Sequence, residues 1–127
     1  MKYLLDTNIC AFHLRGKLNL AGRKHCYISE ITVFELRFGA ENSDNPEKHH
    51  KLVNTLLKGL TILPIIGCVD IYAKEKVRLR KLGKPLNDDF DLLIGATAIK
   101  NGLTLVTDNI KDFERLENIE IENWMSR

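Results

Sequence analysis

Short apolar runs alternate along the chain with segments of helical spacing. Lys2–Leu5, Cys26–Ser29, Thr61–Ile65 (closed by Pro64), Leu103–Val106 and a weaker Ile119–Ile121 have the length and content of buried strands. Between them, Asn8–Leu14 follows the first strand with Thr7 or Asn8 as its cap. Thr32–Ala40 carries Val33, Leu36 and Ala40 at i, i+3 and i+7, and Pro46–Leu60 places Leu52, Leu56 and Leu60 four apart. Val69–Leu82 ends at Gly83 and Asp88–Asn101 at Gly102, both suited to close a helix. Strands alternating with helices predict βαβ units. The expected fold is therefore α/β, three layers deep, with a central, mostly parallel five-stranded sheet flanked by helices.

Length and composition narrow the class. At 127 residues the chain suits one domain, and 44% apolar with 28% charged residues describes an ordinary globular protein. The longest stretch without formal charge, Gly59–Val69, is 11 residues long. That is far short of the ~20 apolar residues a membrane span needs. Asp6 interrupts the N-terminal apolar run too early for a signal peptide, and Cys10, Cys26 and Cys68 show no CxxC spacing. The expectation is a cytoplasmic protein with reduced thiols and no zinc site.

Charge is unevenly spread. No acid lies between Asp6 and Glu30, whereas Arg15, Lys17, Arg23 and Lys24 do; a second basic run covers Lys74, Lys76, Arg78, Arg80, Lys81 and Lys84. These are either solvated helix faces or a polyanion-contacting surface, and charge alone does not decide.

The acids fall where an open parallel sheet places its ligand site, beyond the carboxyl ends of the strands. Asp6 ends the first strand and Asp108 follows the fourth, while Glu35, Asp88 and Asp91 are expected in the first turns of helices. Two carboxylates ~4 Å apart repel by ~4 kcal/mol at an effective dielectric of ~20, so their convergence calls for a cation. Oxygen-only ligands suit Mg²⁺ or Mn²⁺. Each acid also has a plainer reading. Thr32-x-x-Glu35 matches a capping box, Asp88 a helix cap, Asp91 a dipole partner, and Asp108 a turn with Asn109. His13, His25, His49 and His50 lack metal spacing, and no phosphate-binding glycine loop or nucleophile motif is present.

With these residues in view, the sequence resembles the PIN-domain ribonucleases, and among them the VapC toxins of VapBC toxin–antitoxin pairs. Four stretches carry the resemblance: Tyr3-Leu4-Leu5-Asp6-Thr7-Asn8, Ile28 to Ala40 around Thr32-Val33-Phe34-Glu35, Asp88 to Ala98 around Asp91, and Leu105-Val106-Thr107-Asp108-Asn109 with Asp112-Phe113. Trp124 fits the family's tail. The resemblance implies that Asp6, Glu35 and Asp91 are metal-binding acids. The family's Val-Thr-x-Asp or Val-Thr-x-Asn pattern places Asn109 at the fourth position, while Asp108 offers the carboxylate from the neighbouring position and is the one favoured here. The Gly83–Asp91 loop is one residue longer than the commonest pattern, which leaves Asp88 as a further candidate ligand. Also implied are Mg²⁺-dependent hydrolysis of RNA, with Thr7, Asn8 and Thr107 orienting acids or waters, a VapB-type antitoxin partner and a homodimer. Leu52, Leu56, Val69, Tyr72 and Ala73 are the expected partner-facing residues. A phospho-acceptor receiver domain, the main alternative of similar length, would need adjacent acids after the first strand and a Lys after the fifth, and neither is present. A PIN fold that binds without cleaving is the other alternative, separated from an enzyme by an RNA cleavage assay.

Overall fold

A computed structural model describes residues 2–125. Its elements are β1 (Tyr3–Leu5), α1 (Thr7–Leu14), β2 (Cys26–Ser29), α2 (Glu30–Glu41), α3 (Pro46–Lys58), β3 (Thr61–Leu63), a 3₁₀ turn (Ile66–Cys68), α4 (Val69–Lys81), α5 (Asp89–Asn101), β4 (Thr104–Val106), α6 (Ile110–Phe113) and β5 (Glu120–Glu122). The strands lie in the order β3-β2-β1-β4-β5. Every pairing is parallel, so the expected mostly parallel sheet is parallel throughout.

Successive strand residues face opposite sides of a sheet, and that alternation builds two cores. Leu4 and Leu105 point to one side, where they pack with Leu79, Leu92, Ile94 and Phe113 beneath α4 and α5. Leu5 and Val106 point to the other, against Ile9, Ile28, Leu36 and Val53 beneath α1, α2 and α3. Each such side chain, fully buried, contributes ~1.5–3 kcal/mol. Two further devices hold the distal elements. Buried Glu75 of α4 accepts both Nε and Nη2 of Arg78 and the Glu117 N–H, while Arg78 Nη2 also donates to the Arg115 carbonyl. Trp124 packs edge-on to Tyr3 at 4.9 Å under the Arg23 guanidinium.

Two helix starts differ from the sequence expectation. Asp6, not Thr7 or Asn8, caps α1 by accepting the Thr7 N–H. Ser29 caps α2 through the Ile31 N–H, so the helix begins at Glu30 and Thr32 lies inside it. Glu35 therefore sits in the second turn, and the Thr32–Glu35 capping box does not form. Asp88 caps α5 as its plainer reading foresaw, and the helix closes on Gly102 at φ 63°, a conformation that favours glycine.

Because β2 and β3 lie on one side of β1 and β4 and β5 on the other, the chain reverses its direction of travel between β1 and β4. That reversal opens a crevice at their carboxyl ends. Asp6 follows β1 directly, and Asp108 follows β4 after one residue, Thr107.

Candidate active site

Asp6 is nearly sealed from solvent, 3% exposed, and both its oxygens are engaged. Oδ1 accepts the Thr7 N–H and Oδ2 the Thr107 hydroxyl, each at 2.8 Å. Thr107 in turn accepts the Asn109 N–H at 2.9 Å. The carboxylate is thus clamped between the ends of β1 and β4. Those two bonds lower its pKa, but burial outweighs them and the Glu35 and Asp108 charges add to it, so the carboxyl is pushed up to about 6.

Glu35 arrives from α2. Its Oε1 accepts the Thr7 hydroxyl at 2.7 Å, and the Thr7 and Thr32 hydroxyl oxygens are 3.0 Å apart. Since the Thr7 proton goes to Glu35, Thr32 donates to Thr7. A directed chain, Thr32 to Thr7 to Glu35, therefore holds the glutamate beside the start of α1. Asp91, at the start of α5, is pushed up to about 7 by burial first, then by the charges of Asp6, Asp88, Glu35 and Asp112.

Mutual repulsion in these shifts links Asp6, Glu35, Asp88, Asp91, Asp108 and Asp112 in one electrostatic basin. Among the described residues no Lys, Arg or His forms an ion pair with Asp6, Glu35 or Asp91. Among the described residues no three His, Cys, Asp or Glu side chains stand close enough together to hold a metal ion without rearrangement. The arrangement is an open bowl of carboxylate oxygens. Cys10 lies close enough to feel the Asp6 charge, and burial pushes its thiol up to about 12, so it stays protonated at neutral pH. The donor set is thus hard oxygen throughout, uncompensated by protein cations, and it fits a divalent ion such as Mg²⁺ or Mn²⁺.

The chain matches the PIN domain over residues 3–119. It is 35% identical to the tRNA(fMet)-specific endonuclease VapC of Salmonella typhimurium, over 98% of each chain. It is also 35% identical to ribonuclease VapC2 of Haemophilus influenzae, over 98% of this chain and 99% of that one. The chain belongs to the VapC family of PIN-domain proteins. Among solved structures, VapBC2 of Rickettsia felis bound to a DNA fragment from its promoter superposes with a TM-score of 0.89 at 32% identity, covering 98% of this chain and 99% of that one. DNA-bound VapBC of Salmonella typhimurium gives the same TM-score at 31% identity over 98% of both.

Within this VapC-family fold, the sequence-derived candidates play unequal parts. Asp6, Glu35 and Asp91 lie within electrostatic reach of one another. Asp88 spends Oδ1 on the Phe90 N–H at 2.9 Å and stands at the rim as a cap whose charge reaches Asp91. Asp108 faces Asp6 closely enough to raise its pKa, whereas Asn109 donates its side-chain amide to Asp112 Oδ2 at 3.1 Å. Asn8 is exposed in the first turn of α1. Asp112, which also pairs with Arg115 at 3.4 Å, is the site acid that sequence reasoning missed as a candidate. It rides on α6, four residues long; its place in the last of the four resemblance stretches, four residues after Asp108, was the available signal.

The basic run on α4 also divides. Arg78 is consumed by Glu75, and Lys76 pairs with Asp89 at 2.8 Å. Of the expected partner-facing residues, Leu56 is core, while Leu52 and Val69 are 39% and 51% exposed. Phe34 and Phe38, on either side of Glu35 along α2, are more exposed still at 62% and 72%.

Proposed function

We propose that this VapC-family chain is a divalent-metal-dependent endoribonuclease and the toxin of a type II toxin–antitoxin pair. The observation that carries the catalytic reading is the basin itself. Three carboxylates from the end of β1, from α2 and from α5 feel one another's charge at the switch point of a parallel sheet, two of them with pKa values pushed up to about 6 and 7, and among the described residues none is paired with a protein cation. Relatives named as ribonucleases, 35% identical, support RNA as substrate.

Asp6, Glu35 and Asp91 would hold Mg²⁺ or Mn²⁺, with Asp108 beside them and Asp88 at the rim. The ion, when bound, activates a water at neutral pH and stabilises charge on the phosphate. The protein's own contribution is preorganisation. The Thr7 N–H and Thr107 hydroxyl hold both Asp6 oxygens, and Thr32 and Thr7 hold Glu35, so these acids need little rearrangement to act together. Asp91, ionising near 7, must shed its proton to become a ligand, so activity should rise with pH through that region.

The VapBC structures support a VapB-type antitoxin as partner, and exposed Phe34 and Phe38 place an apolar surface beside the acids for it. A homodimer, through Leu52 or Val69, belongs to the same proposal. No helix among the described residues is long and apolar enough to cross a membrane, and a cytoplasmic location agrees with this reading. The test is cleavage of bulk bacterial tRNA with Mg²⁺ and with chelator. Cleavage only with metal, lost in Asp6→Asn, is expected; metal-independent cleavage that survives Asp6→Asn would refute the reading.

A further inference from the structure

A groove of about 310 Å³ runs outward from the acids between α1, α2 and α3. Thr7 and Glu35, hydrogen-bonded together, line its inner end at the start of α1, Arg15 its outer end just past the close of that helix, and His49 and Gly39 parts of its wall. We propose that this groove is a subsite for an RNA nucleotide next to the scissile phosphate, with Arg15 holding the backbone phosphate on its far side. The inference rests on the RNA-cleavage reading and assigns that substrate a place.

Gly39 is the first argument. Glycine inside a helix costs ~0.5–1 kcal/mol relative to alanine, so it calls for a reason. Backbone conformation supplies none, because Gly39 is not among the residues at positive φ. Packing supplies none either, since a Cβ built there meets no atom within 4 Å. Gly95 shows the contrast, as a Cβ at that position would collide with Leu116 and press on Phe113. No contact among the described residues requires Gly39 to be small. What its smallness preserves is the groove.

Charge and size select the occupant. Arg15 is exposed and makes no ion pair among the described residues, and it lies in a stretch, Thr7 to Ser29, that contains no acid. Glu35 makes the inner end negative and Arg15 the outer end positive. A polyanion therefore meets the protein at Arg15 and reaches the acids only where the scissile phosphate must lie. The volume falls at the lower end of the ~300–1,000 Å³ usual for small-ligand sites, which suits one nucleotide.

Gly39→Leu fills the groove from a helical position where leucine is favoured, so the variant should melt at or above the wild-type temperature. With bulk bacterial tRNA and Mg²⁺, its KM should rise at least about tenfold while kcat falls less, the pattern of lost substrate binding. Arg15→Ala, which leaves the helix packing alone, should reduce the slope of log binding constant against log salt by about 0.7–0.9. A folded Gly39→Leu with unchanged KM would overturn the subsite, as would an Arg15→Ala slope equal to wild type. Either result with an active wild type leaves the nuclease reading intact and assigns the groove to a protein partner. A wild type that neither binds nor cleaves tRNA overturns both.

Discussion

Neutralising Asp6 should stabilise the metal-free protein at neutral pH. The carboxyl is 3% exposed, and its pKa rises from 3.8 to about 6 on folding. A carboxyl with a raised folded pKa binds its proton more tightly in the native state. Its burden is therefore absent below about pH 4, grows as pH rises towards 6, and is complete above that. A rise of that size corresponds to about 3 kcal/mol. Asp6→Asn removes that charge and keeps an acceptor for the Thr7 N–H, asparagine being as good a cap as aspartate. It also turns an amide N–H towards the Thr107 hydroxyl, which already accepts from Asn109 and so loses an acceptor for its own proton. That costs about 1 kcal/mol. The net gain, about 2 kcal/mol, raises the midpoint of a domain this size by on the order of 5 °C. Thermal melts with chelator from pH 4 to pH 8 measure it, and the gain should vanish towards pH 4. A variant that melts below wild type by the same margin across that range would show Asp6 to be a helix cap alone.

The remaining expectations concern the bowl. Glu35→Gln and Asp91→Asn should each cut tRNA cleavage by more than the ~10–100-fold typical of outer metal-site partners, while Asp44→Asn, whose carboxylate is 97% exposed, should leave turnover unchanged. Thr32→Val, which ends the donor chain to Glu35, should lower activity by ~10-fold or more at saturating RNA, and Thr32→Ser should restore it. Asp108→Asn, closer to Asp6, should cost more activity than Asn109→Ala, which acts only through Asp112; the opposite ranking in initial rates would give Asn109 the larger role.

Much of the fold and the site is legible in the sequence, for identifiable physical reasons. A strand buried on both faces must be apolar throughout, so Tyr3–Leu5, Cys26–Ser29 and Thr104–Val106 stand out, and the acids at their ends follow. The start of α2 does not. Ser29 and Thr32 are both able caps, and only the direct passage from β2 into the helix makes Ser29 the one that caps. Thr32 thereby exchanges a capping role for the buried donor position behind Thr7. Four residues of α6 are too few to show periodicity, so nothing in the sequence turns Asp112 inward. Asp108 and Asn109 are neighbours that point to different partners, a distinction that belongs to backbone direction and not to residue type. Gly39 reads as an ordinary helix residue in the sequence because its meaning lies in the space beside it.

The central claim is that Asp6, Glu35 and Asp91 act together as one divalent-metal site. Its most direct test is isothermal titration of Mg²⁺ or Mn²⁺ into chelator-stripped wild type, Asp6→Asn and Asp91→Asn at pH 7.5. Saturable binding to wild type, accompanied by release of a fraction of a proton from Asp91 and lost in both variants, is the expected result. Equal binding by all three proteins, or none by the wild type, would contradict it.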